Sequence, residues 1–242
     1  MEIKTFQNSA RLADAVSDEM INLLKVKPDA LMVMASGHSP KMSCELFAEK
    51  MKISGLSGIS FHFAGLDEWV GIPPQTPGSC YNDFQERLFG PLQMNKSNYH
   101  LFDGMSERLD DECRKMDDYI KARGGIDLMI VGLGMNGHIG FNEPGVDFNQ
   151  LSHVVPLDEI TATVGQQYFE KPMQLTHGIT LGFRHLLQSK KVYLLANGSK
   201  KAEVVKRAIE GEVDRSFPAS IMQQHTNGFI LIDEAAAALL GS

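Results

Sequence analysis

The sequence predicts an α/β fold: a Rossmann-like, doubly wound, mostly parallel sheet with helices on both faces. The continuous apolar run at residues 30–35 and the mainly apolar runs at residues 126–131 and 191–197 are typical of parallel strands that are covered on both faces. Helical patterns separate these runs along the chain, as in repeated strand–helix units. The 242 residues contain no repeat, low-complexity stretch or linker, so we expect a single domain over residues 1–242.

The strands are short and are bounded by glycine, proline or polar residues. Residues 59–65 alternate in polarity, as a half-exposed strand does. The predicted strands are residues 30–35, 59–65, 98–102, 126–131, 154–157, 177–182, 191–197 and 229–233. Residues 71–80 hold three prolines and cannot form a regular element, so we expect a loop that covers a substrate.

The helices follow from apolar spacing and from signals at their ends. Residues 10–24 carry apolar side chains at helical spacing, and Pro28 follows the segment. Ser79 is a candidate N-cap for the helix after it. The predicted helices are residues 10–24, 41–51, 81–88, 107–123, 161–169, 183–187, 202–209 and 234–240.

Composition limits the partners and the compartment. The net charge of −7 disfavours nucleic acid and anionic membranes as partners. The three cysteines, at unrelated spacings, indicate free thiols of a reducing compartment. The chain has neither a stretch of about 20 apolar residues nor a signal-peptide core at its start. We therefore expect a cytoplasmic protein, and the sequence leaves a homo-oligomer open.

Two strand ends carry features that bind anions. Residues 30–35 lead into Ser36, Gly37, His38 and Ser39, where a helix begins. Free backbone N–H groups at such a point bind phosphate, although a plain turn capped by Ser39 is the alternative. Lys201 follows the strand at 191–197 in a second unit of this kind.

The apolar run at 126–131 opens into a glycine-rich loop. Its residues 132–137 match G-x-G-x-x-G, but a turn at 142–145 follows where a dinucleotide site needs a helix. The loop carries Asn136, His138 and Glu143, while Asp67 and Glu68 follow another strand. A histidine beside a carboxylate shuttles protons near neutral pH, and a separate carboxylate can remove a carbon-bound proton. The loop lacks a third ligand at metal-site spacing. These residues predict proton transfer on a phosphorylated metabolite, with no metal and no cofactor.

Three segments add a resemblance to a known family. They are residues 66–71 (LDEWVG), 132–144 (GLGMNGHIGFNEP) and 218–225 (PASIMQQH). Together they resemble the glucosamine-6-phosphate deaminase family, which is related to 6-phosphogluconolactonase. The resemblance implies that a hexosamine 6-phosphate is ring-opened, isomerised to the ketose and deaminated. A sugar-phosphate lactonase is the alternative, but lactonases typically continue differently after the Gly-His pair.

The resemblance implies a role for each matching residue. Asp67 matches the base that removes the C2 proton, His138 the ring-opening acid and base, and Glu143 its carboxylate partner. An ordinary Asp pKa of about 3.9 would leave Asp67 ionised. Asn136 completes the expected catalytic set. The expected substrate-binding residues are Ser36, Gly37, His38, Ser39, Glu68, Gly137, Gln167 and Lys201.

Two positions depart from the family pattern. Asn136 stands where the best-known members have Asp, and an amide can orient a neighbour but cannot transfer a proton. Gln167 aligns with an Arg that contacts phosphate, and it lacks that forked, charged contact. Glucosamine and galactosamine 6-phosphate therefore both remain candidate substrates. A non-catalytic sugar-phosphate sensor is a third alternative, but such regulators carry a DNA-binding module ahead of the domain, and here one helix precedes residue 30.

Overall fold

A computed structural model describes residues 1–56 and 60–241. Its strands are β1 (Glu2–Phe6), β2 (Leu31–Met34), β3 (His62–Gly65), β4 (Asp67–Trp69), β5 (Tyr99–His100), β6 (Leu128–Gly132), β7 (His153–Pro156), β8 (His177–Thr180), β9 (Val192–Ala196) and β10 (Gly228–Asp233). Seven of them form a parallel sheet in the order β1-β10-β9-β6-β2-β3-β5. The predicted, mostly parallel sheet is confirmed.

Helices cover both faces of this sheet. They are α1 (Ser9–Val26), α2 (His38–Ile53), α3 (Cys80–Phe84), α4 (Gly90–Leu92), α5 (Leu109–Ala122), α6 (Glu159–Gly165), α7 (Phe183–Gln188) and α8 (Ala202–Glu210). A π-helical turn covers Gln85–Phe89, and 3₁₀ turns cover Lys96–Asn98, Gln166–Tyr168, Ser199–Lys201 and Pro218–Gln224. Within residues 1–56 and 60–241, none of the helices has the length and apolar character that crossing a membrane requires.

Side chains of successive strand residues point to opposite faces, so the central strands of the main sheet contribute to two cores. On one face, α1 and α2 pack against Met32, Met34 and Ile130. On the other face, α5, α7 and α8 pack against Val33 and Met129. This two-sided burial explains why the strands are continuous apolar runs in the sequence.

The order of the strands creates one crevice at the carboxyl edge of the sheet. From β2 the chain moves outward to β3 and β5, and it then returns to β6 on the other side of β2. From β6 it continues to β9 and β10. The connections after β2 and β6 therefore leave the sheet in opposite directions, which is where open α/β sheets bind their ligands.

A second sheet, which the sequence did not predict, stands beside this crevice. It is antiparallel and has the order β4-β8-β7. The chain changes sheets at Leu66, whose N–H donates to the Met34 carbonyl and whose carbonyl accepts from Leu181. Asp67 thus lies in a strand of its own rather than in the loop after β3, and its backbone is paired with Thr180.

Some predicted boundaries need correction. Residues 234–240 form successive turns, so the predicted helix is wrong. The carboxylate of Asp233 accepts from the Ala236 N–H at 2.8 Å and from the Gly198 N–H at 3.0 Å, which favours the turn. The predicted strand at 59–65 starts at His62 in the structure, and Ile59 lies outside the described residues. β1, an exposed strand, was not among the predicted strands.

The other helix predictions are largely confirmed. Ser79 caps α3 by accepting from the Asn82 N–H at 3.1 Å. The predicted helix at 81–88 begins at Cys80 and becomes a π-helical turn after Phe84. The segment predicted at 161–169 begins at Glu159 and changes from α6 to a 3₁₀ turn.

We expect Asp127 to stabilise the edge of the sheet opposite the crevice. Its carboxylate is 3% exposed and lies 2.7 Å from the ammonium groups of both Lys27 and Lys190. It also accepts from the Leu31 N–H at 2.8 Å. Asp127→Ala should lower the free energy of unfolding by about 1–3 kcal/mol, because it leaves the buried N–H unsatisfied. Urea denaturation measures this. The exposed Asp29→Ala is the control, and an equal effect of the two changes would contradict the assignment.

Candidate active site

The connection after β2 forms the anion-binding end of the site. Gly37 occupies the N-cap position of α2 with an extended backbone, and no side chain of the described residues caps this helix. The first N–H groups of α2 are therefore available to an anion, and the helix dipole favours negative charge there. Ser39 lies inside α2, so the alternative of a turn capped by Ser39 is wrong. Ser36 is half-buried beside this end, and His38 is exposed.

Lys201 approaches the same crevice from the end of β9. Its ammonium group donates to the carbonyl of Leu133, in the connection after β6. Gly198 makes the turn that brings it there, with a φ of 85° that favours glycine. Burial lowers the pKa of Lys201. A phosphate in the crevice would offset this burial by pairing with the ammonium charge.

Asp67 is the buried carboxyl group of the site. Its residue is 9% exposed, and the thiol of Cys80 lies 3.6 Å from Oδ1. Burial raises the pKa of Asp67 to about 7, the negative charge of Glu68 adds to this rise, and the thiol opposes it. The expectation of an ordinary carboxyl pKa is wrong, because the sequence does not reveal this burial. A carboxyl group with this pKa can exchange a proton near neutral pH.

Glu68 is fully engaged by backbone groups. Its Oε1 accepts from the N–H groups of Trp69 at 2.9 Å and Cys80 at 3.0 Å, and Oε2 accepts from Tyr81 at 2.8 Å. Burial raises the pKa of Glu68, and these three hydrogen bonds oppose the rise. The geometry indicates that Glu68 holds the start of α3 beside Asp67. Its contact with substrate stays a prediction.

Two glycines shape the loop after β6. A Cβ built on Gly134 would lie within 2.5 Å of ring atoms of His138, so only glycine lets the imidazole pack there. Gly137 has a φ of 86°, and a Cβ on it would lie 2.5 Å from the Phe217 ring. Residues 135–145 continue in turns rather than starting a helix, so the context of a dinucleotide fingerprint is missing. Contact of Gly137 with substrate stays a prediction.

His138 and Glu143 lie close together in this loop. His138 Nδ1 lies 3.5 Å from Glu143 Oε2, which also accepts from the Asn136 amide at 2.9 Å. Asn136 Oδ1 accepts from the His138 N–H, and Glu143 Oε1 accepts from the Asp158 N–H. Burial raises the pKa of Glu143, but the neighbouring His138, the Thr161 hydroxyl and the Asn136 amide together bring it below its ordinary value. Glu143 is therefore ionised at neutral pH.

Hydrogen bonds link Asp67 to the other parts of the site. Its backbone is paired with Thr180, whose hydroxyl accepts from the Phe141 N–H at 3.2 Å, between His138 and Glu143 in sequence. The Cys80 thiol contacts Asp67, and Ser36 acts on the same thiol by lowering its pKa against the stronger effect of burial. The predicted base, the His–Glu pair and the anion-binding connection thus meet at the same carboxyl edge.

Sequence reasoning missed three residues that the structure places here: Cys80, Thr161 and Tyr168. Thr161 Oγ1 lies 2.9 Å from His138 Nδ1. The Tyr168 hydroxyl lies 3.7 Å from where a Cβ of Gly37 would be, and the backbone of His38 acts to lower the pKa of this hydroxyl against the stronger effect of burial. A polar residue on the buried side of the predicted helix at 161–169 was the available signal for Thr161. Gln167 is exposed beside Tyr168, so its phosphate contact stays a prediction.

The loop at residues 71–80 packs against Tyr168 and Phe169. Ile72 is buried in a small apolar cluster with Trp69 and Phe169. A Cβ on Gly78 would lie 2.4 Å from the Tyr168 carbonyl oxygen. The loop is therefore well packed next to the site, and its predicted role of covering a substrate stays a prediction.

Known proteins resemble this chain over its full length. A family model described as glucosamine-6-phosphate isomerases/6-phosphogluconolactonase matches residues 5–231. A glucosamine-6-phosphate deaminase of Bacillus pumilus is 36% identical, over 99% of this chain and 100% of the relative. The structure of a monomeric glucosamine-6-phosphate deaminase matches with a TM-score of 0.95 and 31% identity, over 99% of this chain and 100% of that chain. A 6-phosphogluconolactonase from Trypanosoma brucei, at 18% identity and a TM-score of 0.75 over 99% of this chain and 98% of that one, shares the fold. The chain belongs to the glucosamine-6-phosphate isomerase/6-phosphogluconolactonase family.

Proposed function

We propose that this chain is a deaminase that converts a hexosamine 6-phosphate and water into the ketose 6-phosphate and ammonia. The observation that carries the proposal is the hydrogen-bonded link from the buried Asp67 through Thr180 to the loop of His138 and Glu143, at the edge of the sheet where α2 starts without a side-chain cap from the described residues. Relatives named glucosamine-6-phosphate deaminase favour glucosamine 6-phosphate as the substrate, with galactosamine 6-phosphate as the second sugar to test.

The phosphate anchors the sugar in this proposal. Backbone N–H groups at the start of α2 and the ammonium group of Lys201 bind the phosphate oxygens. Ser36 and Ser39 lie at the same helix start and donate further hydrogen bonds. Gln167, next to this pocket on the 3₁₀ turn, contributes no charge. Lys201 therefore carries a larger share of the phosphate binding than it would beside an arginine.

The chemistry begins with opening of the sugar ring. A group must protonate the ring oxygen and remove the proton of the C1 hydroxyl, and His138 can do both near neutral pH. The ionised Glu143 stabilises the imidazolium form that arises between the two transfers. The product of this step is the open-chain aldehyde.

Isomerisation and loss of ammonia follow. Asp67 removes the C2 proton of the open chain, which gives an enolamine, and a proton is then returned to C1. The resulting C2 imine takes up water, which supplies the ketone oxygen, and ammonia leaves. A base with a pKa of about 7 is stronger than an ordinary carboxylate and is still largely ionised at pH 7.5.

The free thiols indicate the cellular compartment of the enzyme. Cys44, Cys80 and Cys113 are free and buried, which fits a reducing compartment. We place the enzyme in the cytoplasm, acting on a small sugar phosphate, and the number of subunits is left to measurement.

We expect Asp67→Asn to abolish ammonia release. An amide cannot accept the C2 proton, and general-base catalysis contributes about 10²- to 10⁴-fold to rates. The assay compares glucosamine 6-phosphate, galactosamine 6-phosphate and 6-phosphogluconolactone, with the exposed Asp110→Asn as control. Ammonia release by Asp67→Asn at the wild-type rate would refute the role of Asp67. Hydrolysis of the lactone without ammonia release by the wild type would favour the lactonase instead.

We expect kcat/KM to fall about tenfold per pH unit below pH 7. Asp67 must be deprotonated to act, and burial with the Glu68 charge raises its pKa to about 7, so activity is gained as the pH rises through 7. The second phosphate pKa of about 6 also titrates in this range. The inhibition constant of inorganic phosphate, measured over the same pH values, isolates that effect. A kcat/KM that stays level down to pH 5 would contradict the raised pKa.

We expect Lys201→Met to raise KM for the sugar phosphate by about 10- to 100-fold, because a hydrogen bond to a charged group contributes about 1.5–3 kcal/mol. Steady-state kinetics measures the change, and kcat should change much less. Lys200→Met removes the same charge from an exposed neighbouring position and should behave as wild type. Equal KM values for the two variants would exclude Lys201 from the phosphate site.

A further inference from the structure

Thr161 is a buried hydroxyl at the heart of the proposed site. It is the third residue of α6 and is 4% exposed. Its Oγ1 lies 2.9 Å from His138 Nδ1, whereas the nearest Glu143 oxygen lies 3.5 Å from the same nitrogen. The Thr161 hydroxyl also stabilises the ionised form of the Glu143 carboxylate, whose pKa it lowers. Thr161 therefore stands between the imidazole and its carboxylate partner.

The donors and acceptors of Glu143, Thr161 and His138 determine the direction of the hydrogen bonds among them. An ionised carboxylate accepts only, so the single hydroxyl proton of Thr161 is donated to Glu143. The hydroxyl oxygen is then the acceptor for His138 Nδ1, which must carry a proton. In the neutral imidazole the lone pair consequently lies on Nε2, since one ring nitrogen donates and the other accepts.

The start of α6 is hydrogen-bonded to the Glu143 carboxylate. The Asp158 N–H donates to Glu143 Oε1 at 3.2 Å, and the Asp158 side chain caps α6 by accepting from the Ile160 N–H at 2.9 Å. Thr161 lies in the first turn of α6, three residues after Asp158. Asn136 completes the hydrogen bonds of Glu143 but, as an amide, does not relay a proton.

We propose that Thr161 is a positioning residue of the reaction: its hydroxyl bridges His138 and Glu143 and selects the tautomer that leaves Nε2 of His138 free to exchange protons with the sugar. The proposal rests on the proposed function for the identity of the substrate. The tautomer itself is a property of the protein without substrate. If the Thr161 hydroxyl only made hydrogen bonds within α6, its removal would leave the tautomer of His138 unchanged.

Three variants separate these roles. Thr161→Val keeps the shape and removes the hydroxyl, Thr161→Ser keeps the hydroxyl, and Thr163→Val makes the same change at an exposed position of α6. We expect kcat for ammonia release to fall about 10- to 100-fold in Thr161→Val with KM nearly constant, since the buried Nδ1–H loses its acceptor. Thr161→Ser should recover most of the activity, and Thr163→Val should match the wild type.

Nitrogen-15 NMR of histidine-labelled protein at pH 8, with the His138 signals assigned by their loss in His138→Gln, reports the tautomer directly. We expect a protonated Nδ1 and an unprotonated Nε2 in the wild type, and a mixture or the reverse in Thr161→Val. A wild-type Nε2–H tautomer, or a Thr161→Val protein with the wild-type tautomer and kcat, would overturn the proposal. A wild type that releases no ammonia would overturn the proposed function alone, because the NMR comparison still decides the role of Thr161.

Discussion

The site depends on two adjacent carboxyl groups that share a buried position and have different partners. Glu68 is surrounded by three backbone N–H groups at the start of α3. Asp67 precedes it in the same short strand, so its side chain points to the other face. Among the described residues, the thiol of Cys80 is the only hydrogen-bond partner of the Asp67 carboxyl group, and this contact is weak. The environment thus separates two chemically similar groups, one that holds structure and one that is ready to exchange a proton.

The second sheet is the element that makes this separation. Because β4 pairs with β8 and not with the main sheet, Asp67 is held in a buried strand that adjoins the carboxyl end of β3. The partner strand also supplies Thr180, which ties this strand to the loop of His138. The segment of α6 and its 3₁₀ turn then spans the crevice, with Thr161 at the His–Glu pair and Tyr168 at the anion-binding end.

The main sheet was predictable from the sequence because strands that are buried on both faces consist mainly of consecutive apolar residues. The sequence also predicted the region of Asp67, His138 and Glu143, because each follows a strand and belongs to a recognisable motif. The second sheet could not be predicted in this way, since a strand of three residues has no measurable periodicity. The raised pKa of Asp67 and the contact of Thr161 with a histidine 23 residues away depend on tertiary packing. The alanine-rich end at 234–240 favours a helix by composition, but the side chain of Asp233 holds it in turns.

The most direct test of this account is the pKa of Asp67 itself. Carbon-13 NMR of protein labelled at the aspartate carboxyl groups, with the Asp67 signal identified by its loss in Asp67→Asn, follows this group through a pH titration. The account predicts half-titration near pH 7, because burial and the Glu68 charge disfavour the ionised form. Half-titration near pH 4, the ordinary aspartate value of about 3.9, would show that Asp67 is solvated and would contradict its assignment as the poised base.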